Sequence, residues 1–307
     1  MKLVFRNLLA LFMSCAAMLS GNSWAADKLA VTASFSILGD LVRVVGGERV
    51  SVTNLVGPNE DAHVFEAKPS DAKSLLQSRL LVSNGLGFDS WAQVLARSVD
   101  YKGMALLASK GLKPLTEAAK PAVKGHDHSH GEADPHAWQN PNNVVLYVRN
   151  IAAALSQLDP ASASTYQANA DAYVKELQAL DAWAKAQFNA IPAAQRKVIT
   201  SHDAFGYLAA HYKITFLSPQ GISTEAQPSA KDVAQLITQI QREKIRAVFL
   251  ENMSNQRLLT QLSQDAGTAV GGKLYADALS SPDQPGASYL LMMRHNVNQL
   301  VAGMRLN

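Results

Sequence analysis

Between Pro160 and about Ile191 the chain repeats Tyr166, Ala170, Tyr173, Leu177, Leu180 and Ala184 at alternating spacings of four and three, the signature of one long helix with an apolar stripe. Roughly thirty residues at 1.5 Å each make a rod of about 45 Å. The segments on either side read quite differently. From Lys28 the sequence KLAVTASFSILGDLVRVVGGERVSVTNLV runs strand, helix, strand, with Gly46-Gly47 as the helix stop. The same grammar continues through a short helix capped by Ser70, a strand at 80–83, an amphipathic helix over 88–96 and a short strand at 105–109. After the rod it resumes with strands near 197–200, 214–217, 246–250 and 273–275. Between them lie a helix opening at Ser201-His202-Asp203, one over 233–241 capped by Ser229 with Asp232, and one near 257–266; a helix over 288–304 closes the chain. Strands alternating with helices imply mostly parallel sheets. The expected fold class is therefore α/β, with two lobes, each a small mostly parallel sheet wrapped by helices, joined by one long backbone helix. The expected limits are 26–158 for the amino-terminal lobe, 159–191 for the linking helix and 192–307 for the carboxyl-terminal lobe. At 307 residues and 48% hydrophobic content, each lobe is expected to have its own core.

The first 25 residues stand outside that pattern. Lys2 and Arg6 precede an apolar run from Leu8 to Leu19, and Ser23-Trp24-Ala25 offers small residues where a signal peptidase reads. This is a secretory signal with cleavage expected after Ala25, and its apolar run is too short to span a bilayer. The chain's one cysteine, Cys15, follows Phe12-Met13-Ser14, a poor lipidation box, which argues against a lipid anchor. The leader carries two of the 28 Lys and Arg and none of the 25 Asp and Glu, so the exported chain is close to neutral at about +1. No basic stripe with interleaved aromatics suggests nucleic acid, and no later run is long enough for a membrane helix. Without cysteine, an exported metal site must use nitrogen and oxygen ligands.

Histidine is distributed to suit such a site. Four of the eight histidines lie in GHDHSHGEADPHAWQNP, from Gly125 to Pro141. His126, His128 and His130 alternate in a polar loop spanning about 115–134, where they can gather metal but cannot hold a rigid geometry. His136 is placed more firmly, ahead of Asn140, a helix cap, and Pro141, suited to a first helical turn. His63 follows the second strand in the loop Gly57-Pro58-Asn59-Glu60-Asp61-Ala62, where open α/β sheets bind ligands. His202 is expected between a strand's carboxyl end and a helix N-terminus, whose dipole would keep the imidazole neutral. Asp277 follows the last strand. Three imidazoles and a carboxylate, two from each half of the chain, satisfy a zinc ion's preference for four nitrogen and oxygen ligands. Glu60 and Glu251 are weaker candidates, as partners behind the ligands or occasional ligands, with surface or packing roles the expected reading, and His211 and His295 are expected as structural residues within helices.

The chain resembles the metal-receptor proteins of bacterial ABC importers for zinc and manganese, the cluster A-I solute-binding family. The resembling segments are VTASFSILGDLV, DAH at His63, VSNGLGFDSW, DPHAWQNP at His136, ITSHDAFGYLAAHY at His202, QPSAKDVAQL, LYADAL at Asp277 and YLLMMRHN. The resemblance implies a periplasmic, non-enzymatic receptor with the ion in a largely preformed cleft, ligated by His63, His136, His202 and Asp277. The ion is handed to a membrane permease of an ABC importer. A monomer and exchange with a metallochaperone are further expectations. Manganese members typically carry Glu where His202 stands, so Zn2+ is expected over Mn2+; the His-rich loop resembles those of zinc members. The chain departs from the family at Asn59-Glu60-Asp61-Ala62, where Gly and often Pro are usual, and lacks the disulfide of some zinc members.

Two other functions would use the same residues. A secreted zinc hydrolase would need an exchangeable water and a general base, a role only Glu251 fits; no HExxH, GxSxG or P-loop motif supports it. An adhesin would need a surface for host molecules, and nothing in the sequence marks one.

Overall fold

The computed structural model describes residues 27–116, 133–253 and 256–307. His126, His128, His130, Cys15 and the leader lie outside the described residues. The amino-terminal lobe runs β1 (Leu29–Phe35), α1 (Ser36–Gly46), β2 (Val50–Val56), α2 (Pro69–Leu76), β3 (Leu80–Ser83), α3 (Ser90–Ser98), β4 (Met104–Leu107) and α4 (Pro141–Leu158). The rod is α5 (Ala163–Asn189). Beyond it come β5 (Lys197–Ile199), α6 (Gly206–Tyr212), β6 (Thr215–Leu217), α7 (Ala230–Glu243), β7 (Val248–Glu251), α8 (Gln256–Asp265), β8 (Val270–Leu274) and α9 (Tyr289–Met304). Among the described residues no helix is long and apolar enough to cross a membrane.

Both sheets are four-stranded and parallel, in the orders β2-β1-β3-β4 and β6-β5-β7-β8. The second order repeats the first, an equivalence the sequence does not display, because pairing between strands separated by a helix leaves no local signal. In each sheet the strand order reverses beside the first strand of its lobe, so loops from opposite sides diverge there and leave a crevice at the carboxyl edge.

The apolar stripe of α5 is buried as its spacing dictates: Tyr166, Ala170, Tyr173, Val174, Leu177, Leu180, Ala184 and Phe188 face inward. The rod packs on α1 and α4 of one lobe and on α9 of the other. This corrects the expectation of a separate core in each lobe. One contiguous cluster runs from Phe35, Trp138 and Tyr147 through the face of α5 to Phe205, Tyr289 and Met304. Two smaller clusters fill the outer faces of the sheets, Leu55, Leu75, Leu81 and Leu95 in one lobe and Ile199, Leu236, Ile240 and Leu262 in the other. The long helix presents apolar residues to both lobes at once, so their inner faces share one dry interior.

Three helix starts follow the capping chemistry of their own residues. Asn140 accepts from the amide of Asn142 at 3.0 Å, with Pro141 in the first turn, and the hydroxyls of Ser229 and Ser288 receive the amides of Asp232 and Leu291. Ser70, expected as a cap, lies inside α2. Asp71 closes that helix instead by accepting from the amide of Lys68 at 2.7 Å, because Pro69 occupies the first turn.

Candidate metal centre

His63, His136, His202 and Asp277 come together at the facing carboxyl edges of the two sheets, with one ligand-type atom from each within 4.8 Å of the others. The three imidazole rings form a nearly equilateral triangle, with centroids 5.5, 5.6 and 5.5 Å apart. Their Nε2 atoms point inward. Nε2 of His63 lies 3.4 Å from that of His136 and 3.3 Å from Oδ2 of Asp277; Nε2 of His202 is 3.0 Å from the same oxygen, and Nε2 of His136 is 3.7 Å from Oδ1. Ligand bonds of about 2.0–2.1 Å in a tetrahedron place ligand atoms roughly 3.3 Å apart. The contacts of 3.0–3.7 Å bracket that separation. Both Asp277 oxygens and His202 Nε2 are buried and meet only one another and the neighbouring imidazoles, contacts that a cation between them would replace.

Each side chain is aimed by the segment behind it. His136 precedes a 3-10 turn, Ala137–Gln139, that leads into α4. Its backbone amide and its ring Nδ1 both meet Oδ1 of Asp134, at 3.0 and 2.9 Å, which leaves Nε2 to face the centre. His63 uses the same device in part: its amide donates to Oδ1 of Asp61 at 2.9 Å. Aspartate two residues before histidine, in DAH and DPH, is thus a turn that bonds forward to the backbone. Neither aspartate was singled out from the sequence, although the shared spacing could have marked both. Phe88 sets its ring against His63 and His136, and Trp138 lies against His136, giving the site an apolar wall.

His202 departs from expectation. No helix begins at Ser201; the chain bends there and α6 starts only at Gly206. Glu251, at the end of β7, takes the amides of Ser201 and His202 on Oε1 at 2.8 and 3.1 Å, and its Oε2 lies against Nδ1 of the ring. The imidazole therefore lies between two carboxylates instead of at a helix dipole. Burial alone would push its pKa down, yet Glu251 and Asp277 hold it well above the ordinary histidine range. Asp277 is its counterpart: burial alone would raise the pKa, and the imidazoles of His202 and His136 keep it well below the usual carboxylate range.

Asp277 sits on a loop of the carboxyl-terminal lobe that residues of the other lobe staple in place. The carbonyl of Ala276 accepts from Trp138 Nε1 at 2.9 Å and Gln139 Nε2 at 2.8 Å, Ser36 Oγ accepts from the amide of Leu279, and the amide of Asn59 donates to the Leu279 carbonyl. Asn59 adopts a left-handed conformation (φ 59°) that asparagine tolerates, and its side chain accepts from Asn252 Nδ2 at 3.0 Å. Glu60, a weaker candidate behind His63, is exposed and caps its own loop by accepting from the amide of Gly57 at 2.6 Å. The other two histidines are engaged elsewhere, His211 with Asp181 at 2.7 Å and His295 with the Lys273 carbonyl at 2.8 Å.

The two ends of the His-rich segment meet beside His136. Thr116 and Ala133 form an antiparallel bridge, and the hydroxyl of Tyr207, on α6, accepts from the amide of Leu115 at 2.9 Å while donating to the carbonyl of Asp134 at 3.1 Å.

Comparison with known proteins agrees in kind. The chain is 32% identical to the manganese-binding lipoprotein MntA of Halalkalibacterium halodurans, covering 94% of this chain and 93% of that one. It is also 32% identical to the iron-binding protein YfeA of Yersinia pestis, over 94% and 91% of the two chains. Among solved structures, the periplasmic zinc-binding protein TroA from Treponema pallidum superposes with a TM-score of 0.81 at 26% identity, covering 90% of this chain and 99% of that one. The profile of the family described as "zinc-uptake complex component A, periplasmic" matches residues 31–303. The chain belongs to that family: it is the substrate-binding component of a metal ABC importer, a periplasmic or extracellular receptor whose partner is a membrane permease, and not an enzyme.

Proposed function

We propose that the cargo is Zn2+, held by Nε2 of His63, His136 and His202 and a carboxylate oxygen of Asp277, with Asp134 and Glu251 orienting two of the rings. The observation that carries this reading is the inward triangle of three imidazoles closed by one carboxylate at near-tetrahedral spacing. A set of three nitrogens and one oxygen suits zinc, whereas manganese favours harder, more oxygen-rich and higher-coordinate sites. Four protein ligands leave no position for a reactive water, as a carrier requires. Capture occurs in a largely preformed cleft, because the shared core opposes wide separation of the lobes, and the ion passes from there to the permease.

Titration of metal-free protein with Zn2+ in competition with a chromophoric chelator should reveal one tight site, and His136→Ala or His202→Ala should abolish it. Retention of that affinity in either variant would refute the ligand assignment. Manganese is the second reading, favoured by the likeness to the manganese-binding lipoprotein of Halalkalibacterium halodurans. Displacement of stoichiometric Zn2+ by equimolar Mn2+ would decide for it.

Export by a cleaved leader is part of the same reading, with the mature chain a monomer in the periplasm. The lipoprotein names of several relatives favour acylation at Cys15 as the alternative. The intact mass of the exported protein separates the two.

A further inference from the structure

Granting His63 its place among the ligands, as proposed above, it is the least secured of the four. It lies on the segment 57–68, which contains neither helix nor strand. The rings of His136 and His202 are each backed by a carboxylate at Nδ1 and are fully buried, whereas the His63 side chain is 6% exposed. Among the described residues no hydrogen-bond partner meets its Nδ1. Its backbone is fixed on one side by the Ala62 carbonyl, which accepts from Trp91 Nε1 at 2.9 Å, and on the other by the bond from its own amide to Oδ1 of Asp61, at 2.9 Å.

The other oxygen of Asp61 reaches across the cleft. Oδ2 accepts from the hydroxyl of Thr224 at 2.8 Å, a contact between residues 163 apart in the chain. Thr224 belongs to the connection between β6 and α7, and that connection has a second attachment: the amide of Asp203, immediately after His202, donates to the carbonyl of Gly221 at 3.1 Å. The segment 218–226 therefore straps the bend carrying His202 to the turn carrying His63.

We propose that Thr224, acting through Asp61, is a positioning residue for His63, and that release of this strap sets the rate at which the ion leaves. With the hydroxyl bonded, Asp61 is held where Oδ1 keeps the His63 amide in its turn. With the bond broken, Asp61 and His63 can pivot about the Ala62 carbonyl, which Trp91 holds, and turn away from the centre, while His136, His202 and the loop of Asp277 stay anchored by their own buried partners. Exit then begins at the ligand whose turn is tied to the opposite lobe by the Asp61–Thr224 bond, whereas the loop of Asp277 is stapled by several bonds.

The test uses the full chain, stripped of metal, reloaded with Zn2+ and mixed rapidly with excess chromophoric chelator, for the wild type and the variants Thr224→Val, Thr224→Ser and His63→Ala. Loss of one hydrogen bond to a carboxylate should speed release by roughly ten- to a hundredfold in Thr224→Val. Its association rate and the melting temperature of the metal-free protein should stay near wild type, and Thr224→Ser, which keeps the hydroxyl, should release at close to the wild-type rate. If Thr224→Val releases at the wild-type rate while His63→Ala is fast, the strap is refuted and the ligand assignment stands. If Thr224→Ser is as fast as Thr224→Val and both melt lower without metal, the residue serves packing and the proposal falls. If His63→Ala itself releases at the wild-type rate, the ligand assignment of His63 fails and the strap with it.

Discussion

Glu251 grips His202 at both backbone and ring: one carboxylate oxygen receives the amides of Ser201 and His202, and the other faces Nδ1. This fixes the tautomer, because a carboxylate opposite Nδ1 keeps the proton there and leaves the Nε2 lone pair for a metal. In Glu251→Gln the amide oxygen can still receive the backbone amides, but its NH2 then meets Nδ1 and moves the ring proton to Nε2. Zinc affinity should fall by roughly ten- to a hundredfold. Chelator competition measures the loss, and an unchanged affinity would show that the carboxylate does not tune the ligand.

Metal uptake should expel protons. His202 has its pKa raised in the metal-free protein, so it carries a proton at neutral pH that must leave before Nε2 can bind an ion. The sign follows: the ion pair stabilises the metal-free fold at low pH and is lost as pH rises through the raised pKa, while metal affinity climbs over the same range. Calorimetric titration at pH 7 in buffers of differing ionisation enthalpy should report about one proton released per ion. Equal heats in all buffers would contradict this.

Asp181, on the buried face of α5, gathers Lys185 at 2.7 Å, Nε2 of His211 at 2.7 Å and the Tyr212 hydroxyl at 3.0 Å. Burial alone would raise its pKa, but these three partners together hold it below the usual carboxylate range. A depressed folded pKa contributes stability above the unfolded carboxylate pKa and loses it as pH falls through the folded one. Asp181→Asn should therefore cost roughly 1–3 kcal/mol near pH 7. The difference from wild type should shrink below about pH 4 in thermal melts taken across pH. A difference independent of pH would assign the effect to packing.

Asn59 combines a left-handed backbone with a side-chain bond to Asn252 in the opposite lobe. Asn59→Gly keeps the conformation and loses the bond; Asn59→Ala loses the bond and strains the backbone. Urea unfolding should find the alanine variant less stable than the glycine variant by about 1 kcal/mol. Equal stability would mean that the turn relaxes without cost.

The parts of the fold carried by local periodicity were legible in advance. The stripe from Tyr166 to Ala184 specifies the rod, and the apolar runs at 29–35 and 80–83 specify strands buried on both faces. The placement of the candidate ligands was legible where a strand end or a cap held them: His63 after β2, His136 before Asn140 and Asp277 after β8. The misreadings share one cause, a partner distant in sequence. Ser201-His202-Asp203 looks like a helix start, but Glu251 takes the amides that a first helical turn would leave free, and the helix begins later. The shared core was hidden for a related reason, since the apolarity of Trp138, Phe205 or Tyr289 does not reveal which lobe each one meets. Asp61 and Asp134 escaped notice because an aspartate in a turn ordinarily signals only the turn.

The bridge between Thr116 and Ala133, flanked by the Tyr207 hydroxyl on Leu115 and Asp134, joins two stretches of chain beside His136 as a buttonhole closes cloth. Each doubling of a loop whose ends are already joined adds only about 0.6 kcal/mol of closure entropy. The number and kind of residues between Thr116 and Ala133 are thus free to drift without disturbing the geometry at His136, so the affinity of the centre does not depend on them.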